Sequence, residues 1–207
     1  STTNSAANIY ANMNFTKAGD QTIDLSTYTG SLNGDITINK TTGQVQLNTA
    51  LVADAANQDI TVTRGTLYLN GNNLTVNGTT GKFIIQDGAR LKLKGNETLT
   101  VNTGYPQLDA GSTVEYAGYN VTEEITIKDF GATDYYHLII NDVNANYATF
   151  ILGDNLAVNG DLTVTDGVFQ KTGSYNLSVA GSVTIGSAGA IASSGAGTFT
   201  VAGNWSK

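Results

Sequence analysis

The sequence predicts an all-β protein, a single-domain parallel β-helix (β-solenoid) of about nine coils with three short strands in each. The first observation is a phrase that occurs three times, at residues 158–164 (Val-Asn-Gly-Asp-Leu-Thr-Val), 179–185 (Val-Ala-Gly-Ser-Val-Thr-Ile) and 201–207 (Val-Ala-Gly-Asn-Trp-Ser-Lys). The copies begin 21 and 22 residues apart, a period typical of stacked repeats. The second is the same phrase at 32–38, Leu-Asn-Gly-Asp-Ile-Thr-Ile, which places the repeat in the first quarter of the chain.

The third observation is the composition. Thr, Val, Ile and Tyr are abundant, Gly numbers 24, and no segment longer than two turns has helical spacing. The 207 residues, 40% of them hydrophobic, suffice for one domain with a sizeable core. We therefore assign residues 1–207 to one β-helix domain, with an N-terminal strand or cap region at 1–30 and repeat coils at 31–207.

The phrase itself predicts a short strand that follows a corner. Leu162 and Val164 alternate with Thr163, as in a strand with one buried face. We expect the preceding Gly to supply the positive φ of a sharp corner. Asn-Gly is also a hairpin signal, so a meander or sandwich is the alternative. Apolar runs of only about three residues and a fixed period favour stacked coils.

Residues 9–15 predict a strand with one apolar face. Ile9, Ala11, Met13 and Phe15 share that face and alternate with polar or aromatic residues. Two roles are open for it. It is either a cap over the first coil, which a solenoid requires, or a strand donated to a neighbouring subunit.

Further short strands are predicted wherever an apolar triplet recurs. They are residues 45–47, 60–62, 67–69, 74–76, 83–85, 91–93, 99–101, 114–116, 125–127, 138–140 and 150–152. The step from Ile60 to Phe83 is 23 residues, which corresponds to three strands per coil. Between 102 and 149 the connectors are longer and more polar, and insertions of this kind usually carry the binding in solenoids.

Three segments together resemble a known family type. Residues 136–141 (Tyr-His-Leu-Ile-Ile-Asn), 156–164 and 203–205 (Gly-Asn-Trp) are similar to repeat regions of large microbial surface proteins and adhesins, such as autotransporter passengers and filamentous-haemagglutinin-like exoproteins. The resemblance implies an extracellular or cell-surface β-helix with a role in adhesion, surface coating or fibre building. It brings no catalytic residues with it.

Charge and composition limit the classes of partner and ligand that the chain can bind. The net charge of −7 argues against nucleic acid, and no apolar run approaches the length of a membrane span. The chain contains no Cys, and His137 is its only histidine, which excludes a His-based zinc site. We expect no cofactor, although single carboxylates on neighbouring coils leave calcium possible. They include Asp129, Asp134, Asp142, Asp154, Asp161 and Asp166.

An enzyme remains the less favoured alternative, because some β-helices act on polysaccharides. Such enzymes need a groove lined with acids and bases, whereas Arg90, Lys92 and Lys94 alternate with leucines and predict one outward row on a strand. His137 likewise predicts an ordinary outward strand position. We therefore expect no catalytic site.

The favoured function is a non-catalytic structural protein, a filament subunit or surface-array module whose β-helix ends stack head to tail. Its candidate assembly interface consists of Ile9, Met13, Phe15, Phe199, Val201 and Trp205. The rival to stacking is that the sequence is part of a longer solenoid, whose next coil covers the C-terminal residues. The alternative is an adhesin or glycan-binding module that uses the 102–149 loops. Its candidate contact residues are Tyr105, Tyr119, Tyr135 and Tyr147.

Overall fold

The computed structural model describes residues 8–102, 104–131 and 134–207. Every regular element within these residues is a β-strand, and they contain no helix. The chain divides into two compact units, Ser1–Leu91 with Glu97–Gln107, and Lys92–Asn96 with Leu108–Lys207. The predicted all-β parallel β-solenoid is confirmed, with about eight turns in all against the nine expected. That residues 1–207 form one domain remains a prediction.

The first unit contains two parallel sheets. Its strands are β1 (Met13–Phe15), β2 (Gln21–Ile23), β3 (Ile36–Leu47), β4 (Leu51–Ala53), β5 (Ile60–Tyr68), β6 (Leu74–Val76), β7 (Phe83–Ile85) and β9 (Leu99–Val101), while β8 (Ala89–Leu93) and β10 (Gln107–Leu108) contain residues of both units. β1, β3, β5 and β7 pair in that order, and β4, β6 and β9 form the other sheet. Strand β1 thus joins the sheet of the repeat strands.

The second unit repeats this plan. Its strands are β11 (Thr113–Tyr116), β12 (Glu124–Ile127), β13 (His137–Asn141), β14 (Thr149–Leu152), β15 (Leu156–Val158), β16 (Leu162–Lys171), β17 (Leu177–Val179), β18 (Val183–Ser193), β19 (Phe199–Val201) and β20 (Trp205–Ser206). β11, β13, β16, β18 and β20 pair in order, as do β15, β17 and β19. All of these pairs are parallel.

The copies of the phrase lie on one another, which decides between the two readings of its Asn-Gly step. Leu162 pairs with Val183, and Val183 pairs with Trp205, all in parallel strands. A hairpin would have joined antiparallel neighbours, so the meander alternative is wrong. The sequence separation of paired positions in successive coils is 21 residues between Leu162 and Val183 and 25 between Glu124 and Thr149. Because a longer coil uses more of the chain, the chain forms fewer coils than expected.

Within each unit, inward side chains of successive coils form columns. Leu162 and Val164 are completely buried, whereas Thr163 between them is half-exposed, as the alternation predicts. Burial of each such aliphatic side chain stabilises the fold by about 1.5–3 kcal/mol. The parallel register places Leu162 and Val164 beside Val183 and Ile185, so the inward side chains of neighbouring coils form aliphatic rows.

Candidate assembly surfaces

Three apolar residues end the inward columns at the C-terminal coil. Phe199, Val201 and Trp205, which we term the last-coil face, follow Leu177, Val179 and Val183 in register. The three preceding residues are at most 2% exposed. Phe199 and Val201 are only half-buried, and Trp205 is 52% exposed with its ring centroid 5.5 Å from that of Phe199. The last-coil face therefore presents core-type side chains to solvent.

The first described coil presents a matching set. Met13 and Phe15 pair with Ile36 and Ile38, and Ile9 forms a bridge with Leu32. Ile9 is 37% exposed, and Met13 and Phe15 are half-buried. These three residues form the first-coil face. Both halves of the predicted assembly interface thus contain apolar side chains that point inward and are partly exposed to solvent.

In the second unit, the repeated phrase holds each coil to the preceding one through three consecutive backbone N–H groups, which we term the donor corner. Ala180 donates to the carbonyl of Val158 at 2.8 Å, and Gly181 donates to that of Gly160 at 2.9 Å. The third N–H, that of Ser182, donates to the side-chain Oδ1 of Asp161 at 2.8 Å. The next coil repeats all three bonds through Ala202, Gly203 and Asn204.

The third bond of the corner forms a ladder of side-chain acceptors. In the second unit, His137, Asp161 and Ser182 accept in turn from the N–H groups of Asp161, Ser182 and Asn204. In the first unit, Asn12, Asp35 and Asp59 accept in the same way from the next coil. Sequence reasoning missed this ladder. Its signal was the recurrence of a residue with a short polar side chain at the fourth position of the phrase.

The glycine of the phrase is needed for close approach rather than for a positive φ, which corrects the sequence-based expectation. Gly34, Gly160, Gly181 and Gly203 are absent from the positive-φ residues of the described chain. A Cβ on Gly181 would lie 2.5 Å from the carbonyl oxygen of Gly160, and a Cβ on Gly203 would lie 2.6 Å from that of Gly181. The preceding backbone leaves no room for a side chain.

His137 takes part in this ladder and has the outward position that was expected. Its Nδ1 accepts the N–H of Asp161 at 3.0 Å, and its side chain is 32% exposed. The arrangement gives the imidazole a structural partner. The outward row of cations is also observed, and Lys92 pairs with Glu115 at 3.0 Å.

The four tyrosines predicted to contact a ligand are in different environments. Tyr105 and Tyr147 are 47% and 49% exposed, and Tyr119 is half-buried. Tyr135 is completely buried, which corrects its placement in a binding loop. Its hydroxyl donates to the carbonyl of Lys128 and lies 3.0 Å from the hydroxyl of Tyr116. Burial raises the pKa of Tyr135 well above its usual value.

Two buried carboxylates hold connectors of the 102–149 region. Asp142, with no exposed surface, accepts the N–H groups of Asn144 at 3.1 Å and Ala148 at 2.9 Å. Asp134 accepts the N–H groups of Phe130 at 3.2 Å and Ala157 at 2.8 Å. Burial, together with the neighbouring carboxyl of Asp129, raises the pKa of Asp134 to about 6.

Two lysines are also enclosed, which the sequence did not suggest. The Nζ of Lys40 donates to the carbonyl of Lys17 at 2.6 Å and to Oε1 of Gln21 at 2.9 Å. The Nζ of Lys171 donates to the carbonyl of Tyr175 at 3.4 Å. Backbone carbonyls solvate both ammonium groups.

The described residues place no three His, Cys, Asp or Glu side chains together as a metal would require. They also include no helix of the length and hydropathy that crossing a membrane demands. No family model, curated protein or solved structure matches the chain.

Proposed function

We propose that the chain is a non-catalytic structural protein whose copies stack head to tail, as a filament subunit or a surface-array module. The observation that carries the proposal is the pair of apolar end faces. Trp205 on the last-coil face lies beside the completely buried Val183, and Ile9 on the first-coil face lies beside Leu32, which is also buried. A placement at the cell surface or outside the cell rests on the resemblance to microbial surface proteins.

The two faces differ, so their contact is heterologous. A heterologous contact does not close on itself unless rotation forms a ring, and it therefore propagates along an axis. Trp and other large apolar side chains dominate binding energy when a partner desolvates them. Covering Trp205 and Val201 with Met13 and Ile9 of another copy would supply such an anchor.

The first test is the concentration dependence of assembly in the full chain, followed by sedimentation velocity and electron microscopy. We expect Trp205→Lys to abolish assembly without lowering the melting temperature, because this side chain is already half-exposed. Val143→Lys is the matched control, since Val143 is 71% exposed and belongs to neither face. Equal loss of assembly in both variants would reject the end-face interface.

A complementation experiment tests the head-to-tail arrangement. Trp205→Lys keeps an intact first-coil face, and Ile9→Lys keeps an intact last-coil face. Each variant alone should remain monomeric, whereas the mixture should form dimers and stop there. Dimers of Ile9→Lys alone would indicate a contact between two last-coil faces and contradict the proposal.

The loop at residues 142–148 carries a second candidate function, the binding of a cell-surface glycan or protein. Asp142 holds this loop through its two backbone contacts, and Asn144 Nδ2 donates to the carbonyl of Ala117 at 3.1 Å. The held loop exposes Val143 and Tyr147 by 71% and 49%. Glycan-array and cell-binding assays with Tyr147→Ala and the control Tyr175→Ala test it. Equal binding by the two variants would remove the loop from consideration.

A further inference from the structure

We infer that the contact between copies continues the solenoid in register, so that the first coil of one copy occupies the place of the next repeat after the last coil of another. The inference rests on the proposed head-to-tail assembly and assigns the residue pairs within it. The partner is a second copy of this chain.

Residues 9–15 and 201–207 hold equivalent places in their coils. Ile9 and Met13 pair with positions 1 and 5 of the phrase at 32–38. Val201 and Trp205 pair with positions 1 and 5 of the phrase at 179–185. Residues 9–15 (Ile-Tyr-Ala-Asn-Met-Asn-Phe) are therefore a divergent copy of the phrase. Stacked in register, Ile9 would cover Val201, and Met13 would cover Trp205.

The hydrogen-bonding groups of the two ends complement each other at the donor corner. In the interior, the carbonyls of Val179 and Gly181 and the Oγ of Ser182 accept from the following coil. The equivalent acceptors on the last coil, which belong to Val201, Gly203 and Asn204, have no following coil among the described residues.

The first coil offers the missing donors. The N–H groups of Tyr10, Ala11 and Asn12 correspond to those of Ala202, Gly203 and Asn204, and the described residues provide them with no acceptor. Register stacking would form three bonds, including one from the Asn12 N–H to Oδ1 of Asn204. This extends the side-chain ladder from one copy into the next.

The methyl group of Ala11 is a steric obstacle to stacking in exact register, and it makes the inference testable. Ala11 stands where the phrase otherwise carries Gly34, Gly160, Gly181 or Gly203, and a Cβ on Gly34 would lie 2.2 Å from the Ala11 carbonyl oxygen. The Ala11 methyl would meet the Gly203 carbonyl in the same manner. Gln58 occupies the Gly position of the phrase in another coil, two residues before Ile60, and there the corner bond is replaced. The Gln58 N–H donates to the carbonyl of Ala55 at 3.2 Å, and its Nε2 donates to the Gly34 carbonyl at 2.8 Å.

Ala11→Gly should therefore strengthen self-association. We expect the dissociation constant from sedimentation equilibrium to fall on the order of tenfold, which equals about 1.4 kcal/mol. Ala18→Gly is the control, because Ala18 is an exposed residue of the first coil outside the phrase. Unchanged or weaker association of Ala11→Gly would exclude this corner from the interface.

Disulfide trapping reads the register directly, because the chain contains no Cys. Asn14 and Ser206 lie in the outward columns of Thr37 and Thr184, so the inferred register places them side by side. Paired Cα atoms on adjacent strands lie about 4.8 Å apart, within the range that a disulfide spans. Mixing Asn14→Cys copies with Ser206→Cys copies should give a cross-linked heterodimer under mild oxidation.

Two controls calibrate the trapping. Thr163→Cys with Thr184→Cys in one chain reproduces the same column geometry internally and should oxidise at a comparable rate. Thr22→Cys copies mixed with Ser206→Cys copies place the thiols on different strands of the coil and should not cross-link. Cross-linking of the Thr22 pair instead of the Asn14 pair would overturn the register.

The outcomes separate the register from the function. Self-association without the Asn14–Ser206 cross-link rejects the register and leaves head-to-tail assembly standing. A chain that remains monomeric at all concentrations, with Ala11→Gly as well, rejects both. A cross-link together with stronger association of Ala11→Gly supports both.

Discussion

The coils at residues 113–152 and those at 156–206 belong to the same unit, yet they secure their connectors differently. In the later coils, three successive backbone N–H groups reach the preceding coil, as at Ala180, Gly181 and Ser182. In the earlier coils, buried side chains take that role. Asp142 accepts two N–H groups of its own connector, and the Tyr116 hydroxyl accepts the N–H of Lys128 at 3.0 Å.

The two sets of coils also differ in length, but the step of 24 residues from Leu138 to Leu162 still ends in a complete donor corner, so it is the content of the connector that matters. Glu124 and Thr149 are 25 residues apart, whereas Leu162 and Val183 are 21 apart. The additional residues of a longer coil have no carbonyl opposite them, and a buried N–H without an acceptor is costly. A polar side chain enclosed by the loop supplies the acceptor. Regular coils depend on apolar columns and close backbone contact, and longer coils depend additionally on a few buried polar groups.

The largest expected effect concerns an apolar column of the regular coils. Leu162→Asp places a charge among aliphatic side chains with no partner and should lower the free energy of unfolding by about 4 kcal/mol. Thr163→Asp is the control, because Thr163 faces outward and is half-exposed. Urea unfolding of both variants measures the difference. Equal losses would contradict the assigned inward and outward faces.

The second effect tests backbone closeness at the donor corner. Gly181→Ala forces a Cβ to within 2.5 Å of the Gly160 carbonyl oxygen and should cost about 3 kcal/mol. Gly19→Ala is the comparison, because Gly19 has φ +78° with no atom within 4 Å of its added Cβ. Its cost should be about 1 kcal/mol, from backbone conformation alone. A Gly19 variant as destabilised as the Gly181 variant would indicate that φ, rather than crowding, decides these positions.

The third effect concerns the polar support of the longer coils. Asp142→Ala leaves the N–H groups of Asn144 and Ala148 without their acceptor and should cost about 2 kcal/mol in chemical denaturation. The rate of hydrogen exchange at the Ala148 N–H should increase, because the loop then opens locally and exposes this group to water. Asp154→Ala, at an exposed carboxylate, should change stability little. If exchange at Ala148 does not change, Asp142 is not what holds the loop.

The fourth effect is a pH dependence. The pKa of Asp134 is raised to about 6 in the folded chain, above its unfolded value, so the folded state binds this proton more tightly. Its contribution to stability is therefore present at pH 4 and is lost as the pH rises towards 6, by at most about 1.4 kcal/mol per pH unit. Asp134→Asn should unfold with a flatter profile across this window. Parallel profiles for the variant and the native chain would refute the assignment.

The regular coils could be predicted from the sequence, because the features that determine them are local and periodic. The phrase at 158–164 predicts the inward Leu162, the outward Thr163 and the stacking of its copies, all of which are observed. Its Gly was read correctly as a corner residue, although for the wrong reason. Close approach depends on the position of a neighbouring coil, which one strand's pattern does not contain.

The polar interior of the longer coils could not be predicted in the same way. Tyr135 follows a polar connector, and its sequence context is that of an exposed aromatic residue. In the structure Phe130 packs against it, with the two ring centroids 5.3 Å apart. Its burial depends on the Tyr116 hydroxyl and on the Lys128 carbonyl, partners that no periodic pattern specifies. Lys40 and Lys171 are hidden for the same reason, since backbone carbonyls accept from them.

The donor corner also bears on the order in which the coils fold during synthesis. Each corner donates its N–H groups to carbonyls and side chains that were synthesised earlier, as when Gly203 donates to Gly181 and Gly181 to Gly160. The N–H after the corner runs the other way, as when Val183 donates to the carbonyl of Asn204. A nascent coil can therefore form its three corner bonds before the following coil exists, and we expect order to spread from the N-terminal end towards the C-terminal end within the repeat. In a chain that ends after Ser193, amides at 180–182 should be protected as they are in the full chain, and their lack of protection would contradict this template.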